Sequence, residues 1–234
     1  MQFLVEPSPA GGWYVKLAGH DAPVSRHDTE EEAHAHAAAY RRGAGPGGEC
    51  VALRGESVVL VRPIVSEDKP LFVAGWEHFG ETSRLRRFMG VKRHLTLEDL
   101  AFFTELDHTD HEALGAFDPD TGDGLGVARY VRDPSRPDTA EAAVSVIDSW
   151  QGRGLGGALL ERLTDRACQN GIKRFTAELR ADNRAMLRLF EHLGRTDVRR
   201  DAGDLELDVD LRTDAPEELA SVLRGAAAGD VAPR

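Results

Sequence analysis

The stretch Asp148-Ser-Trp-Gln-Gly-Arg-Gly-Leu-Gly-Gly157 decides how this 234-residue chain is read. It follows an almost wholly apolar run, residues 142–147 (AAVSVI), which reads as a strand buried on both faces. It feeds a helix in which Leu155, Leu159, Leu163 and Ala167 recur on one face, with Asn170-Gly171 as the stop. A buried strand that turns through glycines into a helix makes an anion site. The backbone can be approached closely, several N–H groups converge, and the helix N-terminus carries about half a positive charge. Arg153 adds a full one. Three phosphate-bearing ligands suit such a turn: a nucleotide triphosphate, a dinucleotide, and the pyrophosphate of coenzyme A. The Walker A pattern fails, because Gly156-Gly157-Ala158 stands where Gly-Lys-Ser/Thr is required. A dinucleotide fingerprint is half met by Gly154 and Gly156, with Leu159 in the third glycine position and Glu178 at about the right distance for the ribose acid. Against it, three strands and two helices of the same domain precede the turn, whereas a dinucleotide fold opens with it.

Upstream, the pattern divides. Residues 13–17 and 22–25 read as strands, and Thr29 followed by Glu30 to Glu32 starts a helix that runs to about Arg42 and stops at Gly45-Pro-Gly-Gly48. Residues 50–54 and 57–63 read as two more strands joined by Gly55-Glu56. This predicts a β-β-α-β-β unit over residues 1–63, small enough to need docking on the rest of the chain or on another copy. Residues 64–69 read as a linker, 70–212 as the second domain and 213–234 as a tail. In the second domain, residues 83–89 and 96–106 read as helices, with strands over 111–117, 125–130, 142–147, 172–179 and 205–211 and a helix over 183–193.

Composition limits the function. The chain is 41% hydrophobic and 29% charged, enough apolar material for a packed core, with a net charge of −11 that disfavours nucleic acid as a partner. No apolar run approaches the roughly 20 residues of a membrane span. The start, with Glu6, Pro7 and Pro9 after a short apolar stretch, is no secretory signal, so a cytoplasmic protein is expected. Cys50 and Cys168 form no metal or disulfide spacing. His34 and His36 fall on different faces of a helix, and His108 and His111 flank a loop. With no third ligand to place, no metal is expected.

Gln151-Gly-Arg-Gly-Leu-Gly156 fits the Q/R-x-x-G-x-G/A signature of the GNAT acyltransferase superfamily, placed as there after the fourth strand and at the start of the long third helix. Asp182-Asn183-Arg-Ala-Met186 and Leu189-Phe-Glu-His-Leu-Gly194 continue the likeness. Upstream, Ser83-Arg-Leu-Arg-Arg-Phe88, Leu95-Thr-Leu-Glu-Asp-Leu100 and residues 107–114 resemble the acyltransferase domain of bacterial Pat-type protein lysine acetyltransferases. Residues 1–63 resemble a small bacterial domain of unknown function. The resemblance implies an α+β GNAT fold, a mixed sheet with splayed central strands and flanking helices. It also implies acetyl-CoA as acyl donor and a primary amine, a protein lysine, as acceptor. A small-molecule amine, or a non-catalytic acyl-CoA sensor with its output in the N-terminal unit, are the alternatives.

The same resemblance assigns roles. Glu141, ten residues before the signature glutamine, stands where these enzymes carry the general base. A strand-edge position predicts partial desolvation of its carboxylate; the plain alternative is a solvated strand-end acid. The strand at Val144, Ser145 and Val146 would run beside the pantetheine arm, and the amides of Gly152, Arg153, Gly154, Leu155, Gly156 and Gly157 would hold the pyrophosphate. Asn183 matches a cofactor-side asparagine and is equally a helix N-cap. Phe190 replaces the tyrosine that many relatives use as general acid, leaving Tyr130 as a distant substitute. The basic run Arg84, Arg86, Arg87, Lys92 and Arg93 is either a contact for the 3′-phosphate or an acidic acceptor, or a solvated helix face.

Overall fold

The computed structural model describes residues 3–19, 23–42, 48–54, 57–78, 95–119, 121–201 and 203–211. The helix expected over 83–89, its arginines and the tail from residue 213 lie outside them.

The chain opens with a three-stranded antiparallel sheet of β1 (Phe3–Pro7), β2 (Trp13–Leu17) and β3 (Pro23–His27), in that order. Helix α1 (Glu30–Arg42) lies across it. Thr29 and Glu32 cap the helix reciprocally, each side chain accepting from the other's backbone N–H, at 3.2 and 3.3 Å. Ala33 and Ala37, one turn apart, are fully buried against Phe3, Val15 and Val24. Strand β1 was not foreseen, since five residues ending in Pro7 carry little strand signal.

The expected β-β-α-β-β unit does not form. Strands β4 (Glu49–Ala52) and β5 (Val58–Pro63) do not join the small sheet but form one edge of a second sheet of eight strands. The reason lies in their side chains: Val51, Val59 and Val61 are buried in the large core, a surface that a three-stranded sheet already covered by α1 could not offer. The break expected after Pro63 therefore falls inside a continuous structure.

The expected linker is also replaced. A 3-10 turn (Ser66–Asp68) leads directly into α2 (Lys69–His78). Arg62 and Asp68, 3% and 1% exposed, form a two-pronged ion pair with both hydrogen bonds at 2.7 Å. The Asp68 carboxylate also accepts the Val65 N–H at 3.0 Å, and the Arg62 guanidinium lies 3.8 Å from the Phe117 ring centre. Pro70 and Gly75 hid α2 from sequence reading, although proline is tolerated in a first helical turn. Helix α3 (Leu97–Thr104) starts from Thr96, whose hydroxyl accepts the Asp99 N–H at 3.1 Å.

The remaining elements are β6 (His111–Phe117), β7 (Gly124–Asp133), β8 (Arg136–Val146), α4 (Leu155–Gln169), β9 (Arg174–Arg180), α5 (Arg184–Leu193), β10 (Gly194–Asp201) and β11 (Asp204–Leu211). The large sheet runs β10-β11-β9-β8-β7-β6-β5-β4, and only the β8–β9 pair is parallel. That pattern excludes a doubly wound dinucleotide fold, whose sheet is mainly parallel. Helix α4 is the crossover joining the one parallel pair. Leu155, Leu159, Leu163 and Ala167 are all at most 1% exposed, so the helical spacing in the sequence is the face that packs on the sheet, with α5 beside it.

Helices α2 and α3 cover the opposite face. Leu71, Phe72 and Leu106 pack on Ile64, Ala113, Phe117 and Val127. Val73, Trp76, Leu100 and Phe103 turn away from the sheet and share one core with Phe3, Val15, Val24, Ala33 and Ala37. The N-terminal sheet is thus docked on α2 and α3, which supplies the burial its size required.

Candidate functional site

Two features meet along β8. At its C-terminal end the chain passes a 3-10 turn (Asp148–Trp150) and the glycine turn before entering α4. Gln151 braces this corner: its amide donates to the Val146 carbonyl at 3.1 Å and to the Asp148 carboxylate at 3.0 Å. Gly154, the residue before α4, has φ +91°, a left-handed conformation in which a side chain is strained. The first hydrogen bond of α4 runs from the Ala158 N–H to the Gly154 carbonyl at 3.1 Å, so the preceding turn of amides is presented at the helix start. Arg153 lies exposed over the Trp150 ring, 4.8 Å from its centre.

Arg54 was not anticipated. It comes from the β4–β5 hairpin, about a hundred residues away in sequence, and its side chain comes within 3.8 Å of where a Cβ on Gly154 would stand. An exposed arginine in a hairpin is indistinguishable from any surface residue until the sheet brings β4 and β5 alongside α4. The turn is thereby flanked by two arginines, and a diphosphate would meet backbone N–H donors, a helix N-terminus and two guanidinium groups.

The second feature is a divergence of strands. Pairing of β8 with β9 covers only Thr139, Ala140 and Glu141, opposite Arg174, Phe175 and Thr176. The ladder ends at Glu141, while β8 continues to Val146 against β7 alone. Val144 is buried in the core and Val146 packs partly against it. Ser145, on the other face, is half-buried.

Glu141 sits at the apex of this wedge. Cross-strand partners His111, Val131, Glu141 and Thr176 form one row on the face that α3 covers. Its carboxylate is exposed, so the desolvation expected of it is absent. In the same row His111 packs against Phe102, 4.8 Å between ring centres, and its Nε2 lies 3.3 Å from the Arg129 guanidinium. Burial, and next the Arg129 charge, push the His111 imidazole down to about 4. Arg129 is buried, stacked 4.5 Å from the Phe103 ring centre.

Other expected residues fall elsewhere. Asn183 is the N-cap of α5, its Oδ1 accepting the Met186 N–H at 3.3 Å. Phe190 is core, 1% exposed. Tyr130 cannot replace a general acid. Its hydroxyl donates to the Thr109 carbonyl at 3.0 Å and accepts from Asn170 at 2.7 Å, near the C-terminus of α4 and far from the glycine turn. His108 pairs with the buried Glu112 at 2.8 Å, and His36 stacks on His27, 4.3 Å between centres. Among the described residues no group of three or more His, Cys, Asp or Glu is placed to hold a metal ion, and no helix is long and apolar enough to cross a membrane.

This geometry agrees with comparisons against known proteins. The profile of the acetyltransferase (GNAT) family matches residues 79–194, and that of an uncharacterized bacterial family, DUF2188, matches residues 3–51. Acetyltransferase Pat of Mycolicibacterium smegmatis is 32% identical over 151 residues, 64% of this chain. The match spans 45% of Pat, so this chain corresponds to less than half of that relative. The crystal structure of the GNAT domain of S. lividans PAT superposes with a TM-score of 0.65 at 31% identity, covering 72% of this chain and all of that one. The fold also matches yncA, a putative acetyltransferase from Salmonella typhimurium solved with acetyl-CoA, with a TM-score of 0.53 at 23% identity, 68% of this chain and 96% of that one. With the strand wedge beside a glycine turn at the start of α4, and a GNAT domain matched over its whole length, the chain belongs to the GNAT acetyltransferase family.

Proposed function

We propose that this protein transfers the acetyl group of acetyl-CoA to a protein lysine ε-amine, with Glu141 as general base. The observation that carries the reading is the placement of both features on one strand. From the wedge at Glu141 to Val146 are five strand steps, about 17 Å at roughly 3.3 Å each, comparable with an extended pantetheine arm. A diphosphate held by the amides of Gly152 to Gly157, flanked by Arg153 and Arg54, therefore directs a thioester along β8 toward Glu141.

The chemistry follows from proton accounting. A lysine amine with an ordinary pKa near about 10.4 is almost wholly protonated at neutral pH and must lose a proton to become a nucleophile. Glu141, exposed where the β8–β9 ladder ends, takes it directly or through water. The neutral amine nitrogen attacks the thioester carbonyl, the carbon–sulfur bond breaks, the thiolate leaves, and the nitrogen gives up its second proton to solvent to become the amide. A thiol with a pKa near about 8.5 departs without a strong acid, so solvent protonates it, in keeping with the core positions of Phe190 and Tyr130. The lysine acceptor rests on the likeness to Pat-type enzymes, and the net charge of −11 favours approach of a cationic partner.

The test is Glu141→Gln, assayed for thiol release with lysine peptides and for acetyl-CoA binding by calorimetry. Turnover should fall by about 100-fold or more, the usual contribution of a general base, with the dissociation constant within about twofold. Unchanged turnover would place the base elsewhere. A wild-type protein that binds acetyl-CoA but releases no thiol with lysine peptides or small amines would favour the sensor alternative.

A further inference from the structure

Strand β10 closes one end of the large sheet, and among the described residues nothing pairs with its outer side. Its sequence is Gly194-Arg-Thr-Asp-Val-Arg-Arg-Asp201. We infer that this edge joins two copies of the chain, β10 against β10 antiparallel about a two-fold axis at Val198, making one continuous sheet through the dimer.

Backbone geometry permits this register. The β10–β11 hairpin closes at Asp201 and Asp204 around two residues. In such a ladder, residues 201, 199, 197 and 195 face the hairpin partner with their N–H and C=O groups. Those of Thr196, Val198 and Arg200 face outward. A two-fold axis at Val198 sets Val198 opposite Val198 of the partner subunit, and Thr196 opposite the partner's Arg200. Every such pair is of the outward-facing kind.

Charge selects it. Charged edges ordinarily discourage pairing, and here registers centred on Asp197 or Arg199 would set that residue against its own copy. Centring on Val198 instead sets Asp197 opposite the partner's Arg199 and Arg195 opposite the partner's Asp201. By symmetry this gives four oppositely charged pairs along the strand. Both of these acids face like charges within the hairpin: Asp197 lies opposite Asp208, itself paired with Arg174 at 3.1 Å, and Asp201 opposite Asp204. The second copy would set a cation opposite each. Val198 stands 44% exposed, among the few large apolar side chains so placed, and the partner's Val198 would cover it.

A single strand pairing falls below the roughly 1,200 Å² of a standard interface, so the dimer should form reversibly with concentration. The test uses the full chain in sedimentation equilibrium over a wide concentration range, with thermal melts to verify folding. Arg199→Asp alone sets acid against acid across the axis, and Asp197→Arg alone sets base against base. Each should weaken dimerisation by about tenfold or more. Mixed in equal amounts, the two variants face opposite charges and should dimerise again as a heterodimer. The inference is overturned if the wild type stays monomeric throughout. Variants that dimerise like the wild type, or a mixture that gains nothing over its folded components, would overturn it equally.

Discussion

Replacing Asp68 by alanine should be among the most destabilising single changes available in this protein. Asp68 accepts two hydrogen bonds from Arg62 at 2.7 Å and one from the Val65 N–H at 3.0 Å, and both charged side chains are at most 3% exposed. Without it, the Arg62 guanidinium stays buried against Phe117 with one remaining acceptor, the Pro63 carbonyl at 3.0 Å, and its Nε already lacks one. Breaking a buried pair from one side costs about 3–5 kcal/mol, because the surviving charge is left without compensation. For a protein of this size each kcal/mol lowers the melting temperature by about 2–4 °C, so a loss of roughly 6–20 °C is expected. The double variant Arg62→Met with Asp68→Leu removes both charges and refills the volume with apolar groups, and should recover most of the loss. Urea and thermal unfolding of Arg62→Met, Asp68→Leu and the double variant form a closed cycle beside Asp68→Ala. A cost below about 1 kcal/mol for Asp68→Ala, or a double variant that loses the sum of the singles, would contradict it.

Two further predictions concern the site. His111 titrates near 4 in the folded protein against an ordinary 6.5, so the unfolded chain takes up its proton first as pH falls. Its contribution is complete above pH 6.5 and is lost toward pH 4. Between pH 6.5 and 5 the stability advantage of wild type over His111→Gln should therefore shrink by about 2 kcal/mol; parallel pH profiles would contradict it. Gly154→Ala forces a side chain into a left-handed conformation, costing about 1–2 kcal/mol and displacing the amides at the start of α4. Acetyl-CoA affinity measured by calorimetry should fall about tenfold. Gly171→Ala, strained alike at φ +79° but at the other end of α4, should leave affinity unchanged; equal losses from both would mean the turn has no special role.

Local features of this protein were legible in the sequence because contiguous residues encode them. The leucine spacing of α4, the Thr96 cap of α3, the capping pair of Thr29 and Glu32, and the glycine turn each depend on residues within one or two helical turns. The resemblance to GNAT enzymes rested on the same short segments, and the family followed. Helix α2 escaped because Pro70 and Gly75 weaken its propensity while tertiary burial sustains it. Strand β10 escaped because its charges read as loop.

The partner of each strand was a different matter. Val51, Val59 and Val61 announce buried strands, but whether they complete the small sheet or the large one depends on which core has room, a comparison no local window contains. The same holds for Arg62 with Asp68, where residues 64–69 read as a linker until both charges are seen without water. It holds for Arg54 beside Gly154, and for the end of the β8–β9 ladder at Glu141. Most helices, turns and strands, α2, β1 and β10 excepted, are written in contiguous residues, as is the chemistry those residues carry, since backbone conformation and side-chain periodicity are short-range. Which strands are neighbours, which charges are buried and where the sheet opens follow from the packed molecule, because they depend on competition for buried surface among residues far apart in the chain.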